Sequence, residues 1–364
     1  MKIKAAVTKG ANSLYVIEDV ELDEPRGDEM LVEVVASGYC HTDELVRMQA
    51  LPVPLPAVLG HEGCGVVVKA GADVTEFKAG DRVAFSFSSC GKCARCLEGM
   101  PTMCVSFAAI NFGGAQADGT SRLSQNGETL STLFGQSSFA EYAVVNERSA
   151  VLVPDDVPLE ITGPLGCGIQ TGAGAVLNRL RPRPGSSIAV FGCGSVGLSA
   201  IMAARMLSCG MIIGVDRVSS RLDMALELGA THVVNTLKTP DAVEEIRKLT
   251  GFGAECSVDA AGNAAVTQMA LRCTRPGSST VVIGGGGDVT INVELDLMGP
   301  AKSLLGVVEG DSNPKLFIPE LMDHYRAGRF PFDKLITYYD FADINTAMRD
   351  ANEGKAIKAV LRMK

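Results

Sequence analysis

Apolar runs of four to ten residues recur through the first 150 positions, separated by glycine, aspartate and proline. Residues 31–40 (LVEVVASGYC), 62–71 (EGCGVVVKAG), 81–87 (DRVAFSF) and 139–145 (FAEYAVV) are β-branched or aromatic and predict strands. Residues 111–131 (NFGGAQADGTSRLSQNGETLS) are glycine- and serine-rich and predict a long surface loop or a partly covered excursion. After about Cys167 the pattern changes. Strands are predicted over 187–192, 211–216, 231–235, 255–262 and 279–287. Helices are predicted between them, over 194–209, 219–230, 242–251 and 264–274. Strand and helix alternate at βαβ spacing, which predicts a parallel, doubly wound sheet. From about Gly306 the texture is mixed again: a helix over 314–328, the stretch 343–354, then a strand over 357–363. The sequence shows no internal repeat.

The chain of 364 residues is long for one core, so two domains are expected. Its 33 basic and 42 acidic residues give a formal charge of −9, with no run of Lys or Arg. Phosphate backbones and anionic membranes need clustered positive charge, so neither is an expected partner. Residues 184–204 are uncharged and largely apolar, yet glycines at 192, 194 and 197 fit a buried strand, turn and helix better than a membrane span. The N-terminal MKIKAAVTKG lacks the apolar core of a secretory leader, so a cytoplasmic location is expected. In that reducing setting, eleven cysteines point to metal binding or catalysis rather than a disulfide framework.

The stretch VFGCGSVG sets Gly192, Gly194 and Gly197 as G-x-G-x-x-G between a predicted strand and a predicted helix. Such a turn lets a pyrophosphate approach the backbone at Gly194, Ser195 and Val196, where a helix N-terminus offers free N–H groups. Asp216 ends the next strand, placed to bond the adenosine ribose and to repel a 2′-phosphate; this favours NAD over NADP. Arg217, directly after it, would accommodate that phosphate and weighs the other way. Arg221 is a further candidate at the ribose, or a solvated helix position.

CGKCARCLEGMPTMC places Cys90, Cys93, Cys96 and Cys104 within fifteen residues. Four thiolates close a tetrahedron around zinc and leave no open position, so this site is read as structural; an iron–sulfur cluster is the alternative. A reactive metal needs three protein ligands and a vacancy. Cys40 in GYCHTDE, His61 in GHEGCG and Cys167 in LGCGIQTG are the candidates. Each taken alone reads equally as a buried thiol or an ordinary polar residue. Cys64, Cys193, Cys209, Cys256 and Cys273 lie in apolar contexts and are read as buried structural thiols.

These residues resemble the zinc-dependent medium-chain alcohol dehydrogenases. GHEGCGVVVKAGADV (60–74), the four-cysteine loop, GCGIQTG and the glycine fingerprint follow in the order of that family and span nearly the whole chain. GPLGCGIQTGAGAVLN (163–178) and the tail from VEGDSNPKLF onward most resemble the aryl-alcohol (benzyl alcohol) dehydrogenases of bacterial aromatic catabolism. The resemblance implies an α/β protein: a GroES-like β-rich catalytic domain over 1–168 and 307–364, with a Rossmann NAD-binding domain inserted over 169–306. It implies two Zn2+ per chain and NAD+. Cys40, His61 and Cys167 would take the catalytic zinc; two cysteines and one histidine are the family's known ligand set, not a deduction from spacing. Cys90, Cys93, Cys96 and Cys104 would take the structural zinc. Thr42 falls where the family places the hydroxyl that accepts the alcohol proton. Asp43 falls where a carboxylate orients the ligand histidine, and Glu62 at an acid near the zinc but outside the usual ligand set. His41 falls at a pyrophosphate contact. The family's relay histidine is replaced by Leu45, so the proton is expected to leave through water or His41.

The implied reaction is reversible hydride transfer from an aromatic primary alcohol to NAD, giving an aldehyde. Phe87, Leu133 and Phe134 are candidates for an apolar substrate pocket or for ordinary core. Rival readings are an aliphatic alcohol, a polyol or a glutathione adduct as substrate. A different class is a zinc-ribbon nucleic-acid module with a vestigial Rossmann domain, which the negative charge opposes. By family analogy a homodimer or homotetramer is expected.

Overall fold

Ile3, Ala5 and Val7 turn inward along Lys2–Thr8, the period-two pattern of a half-covered strand. This strand and Val16–Leu22 were not among those predicted. A computed structural model of the chain describes residues 1–285 and 287–364. The chain divides into two compact units: residues 1–167 with 313–326 and 333–364, and residues 168–312 with 327–332.

The first unit is built on two sheets. In one, five strands run in the order Ala57–Val58, Lys2–Thr8, Val16–Leu22, Leu123–Gln125, Glu128–Leu130. In the other, the order is Ala150–Leu152, Arg82–Phe85, Glu62–Ala70, Glu29–Gly38, Lys358–Arg362, Ile336–Asp340, and Tyr142–Asn146 also pairs with Glu29–Gly38. Pairing is antiparallel except between the last two strands. Met30, Val32, Val34, Val67, Val83 and Phe85 form an apolar cluster in this unit. Truncating any one large member to alanine costs roughly 2–5 kcal/mol, because a packed interior closes such a cavity only in part.

Residues 111–131 form a partly covered excursion with regular structure that was not predicted within it. The helix Phe107–Phe112 enters the stretch, and Leu123–Gln125 pairs with Glu128–Leu130 as a hairpin. Asn126 and Gly127 at its tip have φ of 53° and 83°, the backbone a two-residue turn demands. That Asn-Gly pair was the overlooked signal.

The second unit holds a six-stranded parallel sheet ordered His232–Asn235, Met211–Asp216, Ser187–Phe191, Ala254–Asp259, Thr274–Val282, Ser303–Gly306. In chain order this is 3-2-1-4-5-6, the dinucleotide-binding arrangement. Helices Ser195–Met206, Ser219–Leu228, Ala242–Thr250 and Ala264–Arg272 alternate with the strands. Asp241 and Asn263 cap two of them by accepting from Glu244 N and Ala265 N. The strand predicted over 279–287 instead starts at Thr274 and ends at Val282, and Gly286 lies outside the described residues. Phe191, Ile213, Val215, Val234 and Ile246 pack together in the unit's core. Among the described residues no helix is long and apolar enough to cross a membrane.

Candidate metal centres and nucleotide site

The pairing of Glu29–Gly38 with Glu62–Ala70 sets Gly38 opposite Glu62. Cys40, just past one strand, is thereby brought beside His61, just before the other. Gly38 has to be glycine, since a Cβ there would meet the Glu62 carboxylate at 2.1 Å. Cys167 arrives on the turn Gly163–Gly166, which lies flush on the sheet. A Cβ on Gly163 would meet Glu62 O at 2.2 Å, and one on Gly166 would meet Phe85 O at 1.8 Å. Ser86 Oγ donates to Gly166 O at 2.8 Å. Ligand atoms of Cys40, His61, Glu62 and Cys167 consequently all lie within 4.8 Å of one another.

The donor set suits a cation. His61 is fully buried, and its Nε2 has no hydrogen-bond partner. Its Nδ1 lies 3.0 Å from Asp43 Oδ1, an acid that is itself fully buried. Asp43 also accepts Gly60 N at 3.0 Å and Cys40 N at 3.0 Å, so one carboxylate ties together both segments that carry ligands. A histidine whose Nδ1–H is held by a carboxylate presents Nε2 as the donor atom to a metal. The Cys40 thiol is held well below its usual range by Cys167, 4.0 Å away, against the effect of burial and with help from His61. Burial lowers the proton affinity of His61, but the negative charges of Asp43 and Cys40 outweigh it and raise it. Two sulfurs and an unpartnered imidazole nitrogen converging on one point suit a metal ion.

Glu62 has a partner that the sequence did not disclose. Lys358 Nζ lies 2.8 Å from both Glu62 carboxylate oxygens. Burial pushes Glu62 up to about 7, Lys358 opposing and Cys40 adding to the rise. Lys358 is itself shifted up: burial opposes, and the Glu62 carboxylate more than offsets it. A lysine in an amphipathic strand reads as exposed, which is why only the fold reveals it.

Around this group, the helix His41–Arg47 exposes His41, while Thr42 and Leu45 are half-buried. Phe87, Leu133 and Phe134 are all buried in one apolar cluster. Phe134 stacks on the His61 ring, centroids 4.7 Å apart and planes 29° apart. Phe87 packs on Phe107 instead, at 5.4 Å.

The second group is local. Ligand atoms of Cys90, Cys93, Cys96 and Cys104 lie within 4.8 Å of one another. Cys93 Sγ is 3.5 Å and Cys90 Sγ 3.9 Å from Cys96 Sγ. Cys104 Sγ accepts Cys90 N at 3.3 Å and Ser106 N at 3.4 Å. Backbone N–H groups of Cys96 and Val105 hold the Cys93 thiol down at about 6, against burial. Burial and Cys93 push Cys96 up to about 12. A lobe whose thiols face each other and whose N–H groups face the sulfurs fits a tetrahedral zinc. The other five cysteines are buried, and burial pushes their thiols up, Cys64 and Cys273 to about 12 and Cys209 to about 11. They fit inert packing.

In the second unit, Gly192 has φ of +87°, and a Cβ on Gly197 would meet Gly192 O at 1.8 Å. The turn into Ser195–Met206 is therefore as tight as the fingerprint implies. Above Gly194 nothing lies within 4 Å of a Cβ, a gap suited to a phosphate at the helix start, where Ser195 and Val196 are half-buried. Asp216 accepts Cys193 N at 2.7 Å and Val218 N at 2.8 Å, which fixes the acid against the glycine turn. Arg221 Nε is buried without a hydrogen-bond partner, and Arg217 is exposed.

Comparison with known proteins gives two family matches: "Alcohol dehydrogenase GroES-like domain" over residues 26–155 and "Zinc-binding dehydrogenase" over residues 195–324. A geraniol dehydrogenase of Castellaniella defragrans is 45% identical over 98% of this chain and 97% of the relative. The crystal structure of benzyl alcohol dehydrogenase from Acinetobacter calcoaceticus superposes with a TM-score of 0.96 at 43% identity, covering 100% of both chains. That of an alcohol dehydrogenase zinc-binding domain protein from Burkholderia ambifaria gives 0.97 at 46%, covering 100% of this chain and 99% of the other.

Proposed function

The chain belongs to the zinc-dependent medium-chain alcohol dehydrogenases, uses zinc and NAD, and on that footing we propose that it reversibly oxidises benzyl-type primary alcohols to aldehydes. The observation that carries this reading is the meeting of Cys40, His61 and Cys167 at one point beside an unpartnered imidazole nitrogen. Cys40, His61 and Cys167 hold the catalytic zinc, and Cys90, Cys93, Cys96 and Cys104 the structural one. When bound, the catalytic zinc supplies a Lewis acid that acidifies the substrate hydroxyl, and NAD+ supplies the hydride acceptor. Asp43 keeps the His61 proton on Nδ1 and the ring in place. Thr42 takes the hydroxyl proton, which leaves through water or His41, because Leu45 carries no proton. His41 also serves a pyrophosphate. Glu62, neutralised by Lys358, adds an oxygen near the metal without joining the three ligands. Gly192, Gly194, Ser195, Val196 and Gly197 cradle the dinucleotide, with Asp216 and Arg221 at the adenosine ribose. Residues 1–168 and 307–364 form the catalytic domain and 169–306 the NAD-binding domain.

The aryl preference is supported by the likeness to the benzyl alcohol dehydrogenase and by the ring of Phe134 against His61. The similarity to a geraniol dehydrogenase supports a second reading, an acyclic allylic alcohol; both substrates carry the hydroxyl on a carbon next to a π-system. Metal analysis of wild type and Cys40→Ser tests the site: two zincs per chain should fall to one, with NADH production from benzyl alcohol lost. Values of kcat/KM for benzyl alcohol, geraniol and ethanol test the substrate. Benzyl alcohol should lead, geraniol in the lead favours the allylic reading, and ethanol in the lead sinks both. We expect a homodimer or homotetramer. Exposed Val293, Leu295 and Met298 support it, and light scattering checks it.

A further inference from the structure

Phe134 is a buried aromatic residue with φ of +54°, a backbone that costs a non-glycine residue energy and persists where the surroundings hold it. Those surroundings are specific. Gly135 and Ser137 on the same turn also have positive φ, at 60° and 52°. Ser138 N and Phe139 N bond Gly60 O and Leu59 O at 2.9 and 3.1 Å, which clips the turn to the segment carrying His61. The result is the stacked contact of Phe134 on His61. A centroid separation of 4.7 Å lies within the range of favourable offset stacking, and the tilt of 29° leaves the planes close to parallel.

The other anchor of Phe134 leads elsewhere. Its N–H donates to Asn111 O at 2.9 Å, and its ring meets Phe112 edge-on at 5.2 Å. Asn111 is fully buried and spends its side chain on the neighbouring lobe. Its Oδ1 accepts Ser88 N at 2.8 Å, and its Nδ2 donates to Ser88 O at 2.9 Å and Phe107 O at 2.8 Å. Ser88 is two residues before Cys90, and Phe107 N bonds Cys104 O at 2.9 Å. Asn111 therefore grips the chain on both sides of the four-cysteine lobe while its backbone holds Phe134.

We propose that Asn111 is a positioning residue that sets the plane of the His61 imidazole through Phe134, and so couples the four-cysteine lobe to the three-ligand centre. The inference rests on the reading of His61 as a metal ligand. The lobe's metal then does more than tie down a loop: it keeps Ser88 and Phe107 at the separation that Asn111 spans. Hydrogen-bond partners that orient a ligand histidine commonly change metal affinity ten- to a hundredfold when lost; a stacked ring restricts the tilt of the imidazole plane by packing.

The test uses whole protein with zinc kept in the four-cysteine lobe and cobalt(II) in the other centre, whose visible bands report the geometry of the ligands. Cys40→Ser should abolish those bands; if it leaves them unchanged, the reading of the centre itself is wrong and the coupling falls with it. With that arm satisfied, Phe134→Leu and Asn111→Ser should each displace the bands and raise the rate of cobalt loss to a chelator about tenfold. In the double variant the Asn111 change should add nothing further, because it acts through the missing ring. Bands unmoved in Asn111→Ser, or effects that simply add, overturn the proposal. If Asn111→Ser does not fold, opening the lobe with Cys96→Ser replaces it. That change should displace the bands of otherwise wild-type protein and leave those of Phe134→Leu where they are; equal displacement in both overturns the coupling.

Discussion

Lys358 and Glu62 are 296 residues apart in the chain and meet through both carboxylate oxygens at 2.8 Å, with side-chain exposures of 2% and 0%. A pair this deep is sensitive to the loss of one partner, since the remaining charge stays desolvated. Lys358→Met is expected to lower stability by about 3–5 kcal/mol. Adding Glu62→Gln to it should recover part of that loss. Urea unfolding of the single and double variants checks both, and a single variant as stable as wild type would remove the pair from the account.

Asp43→Asn keeps the shape of the side chain and removes its charge. Gly60 N, Cys40 N and His61 Nδ1 all depend on that carboxylate. The amide would offer an N–H to at least one group that needs an acceptor. Affinity for the catalytic metal should fall ten- to a hundredfold, while the four-cysteine metal is retained. Competition with a coloured chelator, resolved into two phases, separates the two sites.

Asp216 has two tasks, and its loss should show both. Asp216→Ala removes the acid at the end of Met211–Asp216 and the acceptor of Cys193 N and Val218 N. Activity with NAD should fall because the glycine turn loses its brace. Activity with NADP should fall less or rise, because the repulsion of a 2′-phosphate is gone. The ratio of kcat/KM for the two coenzymes is the measurement, and an unchanged ratio counts against Asp216 at the ribose.

Arg122 binds Glu29 through Nη2 and Nε at 2.6 and 2.9 Å and Asp118 at 2.7 Å, with only 2% of its side chain exposed. Arg122→Met leaves Glu29 buried without its cation and should cost about 3–5 kcal/mol near neutral pH. Asp118 is partly exposed and adds less than about 1 kcal/mol. Burial pushes the Asp118 carboxyl up, but Arg122 and Thr120 bring it down to about 2 from 3.8. A depressed carboxylate stabilises above its unfolded value, and the benefit is lost as pH falls through the folded one. Asp118's share of the gap between wild type and variant should therefore be full at pH 7 and shrink from about pH 4 to about 2. Thermal melts across that range check the sign.

What could be read from the chain followed from how directly each residue's chemistry depends on its neighbours. The βαβ rhythm after Cys167 was legible because strands such as Ser187–Phe191 and Met211–Asp216 are buried apolar runs and the helices are bounded by a cap or a glycine, as at Asp241 and Gly251; the sixth strand, Ser303–Gly306, was missed because it is short and largely uncovered. The four-cysteine lobe was legible because its sulfurs are close in the chain as well as in space. The grouping of Cys40, His61 and Cys167 was suggested by family resemblance; no spacing implies it, since a sheet register and two close-packed glycines bring it about. Lys358 was hidden because its partner lies across the sheet. The hairpin at Asn126 and Gly127 was hidden by its polar strands, although the turn residues themselves were informative.

The strand Lys358–Arg362 pairs with Glu29–Gly38 near the middle of its sheet. During synthesis the Ala36–Gly38 end of that strand waits for some 320 further residues, whereas Tyr142–Asn146 is available to pair with Glu29–Glu33 far sooner. Until Lys358 is made, the strand end next to Cys40 lacks its partner, and Glu62 beside His61 lacks its cation. The four-cysteine lobe is complete by residue 104, 63 residues before Cys167 is made to join Cys40 and His61.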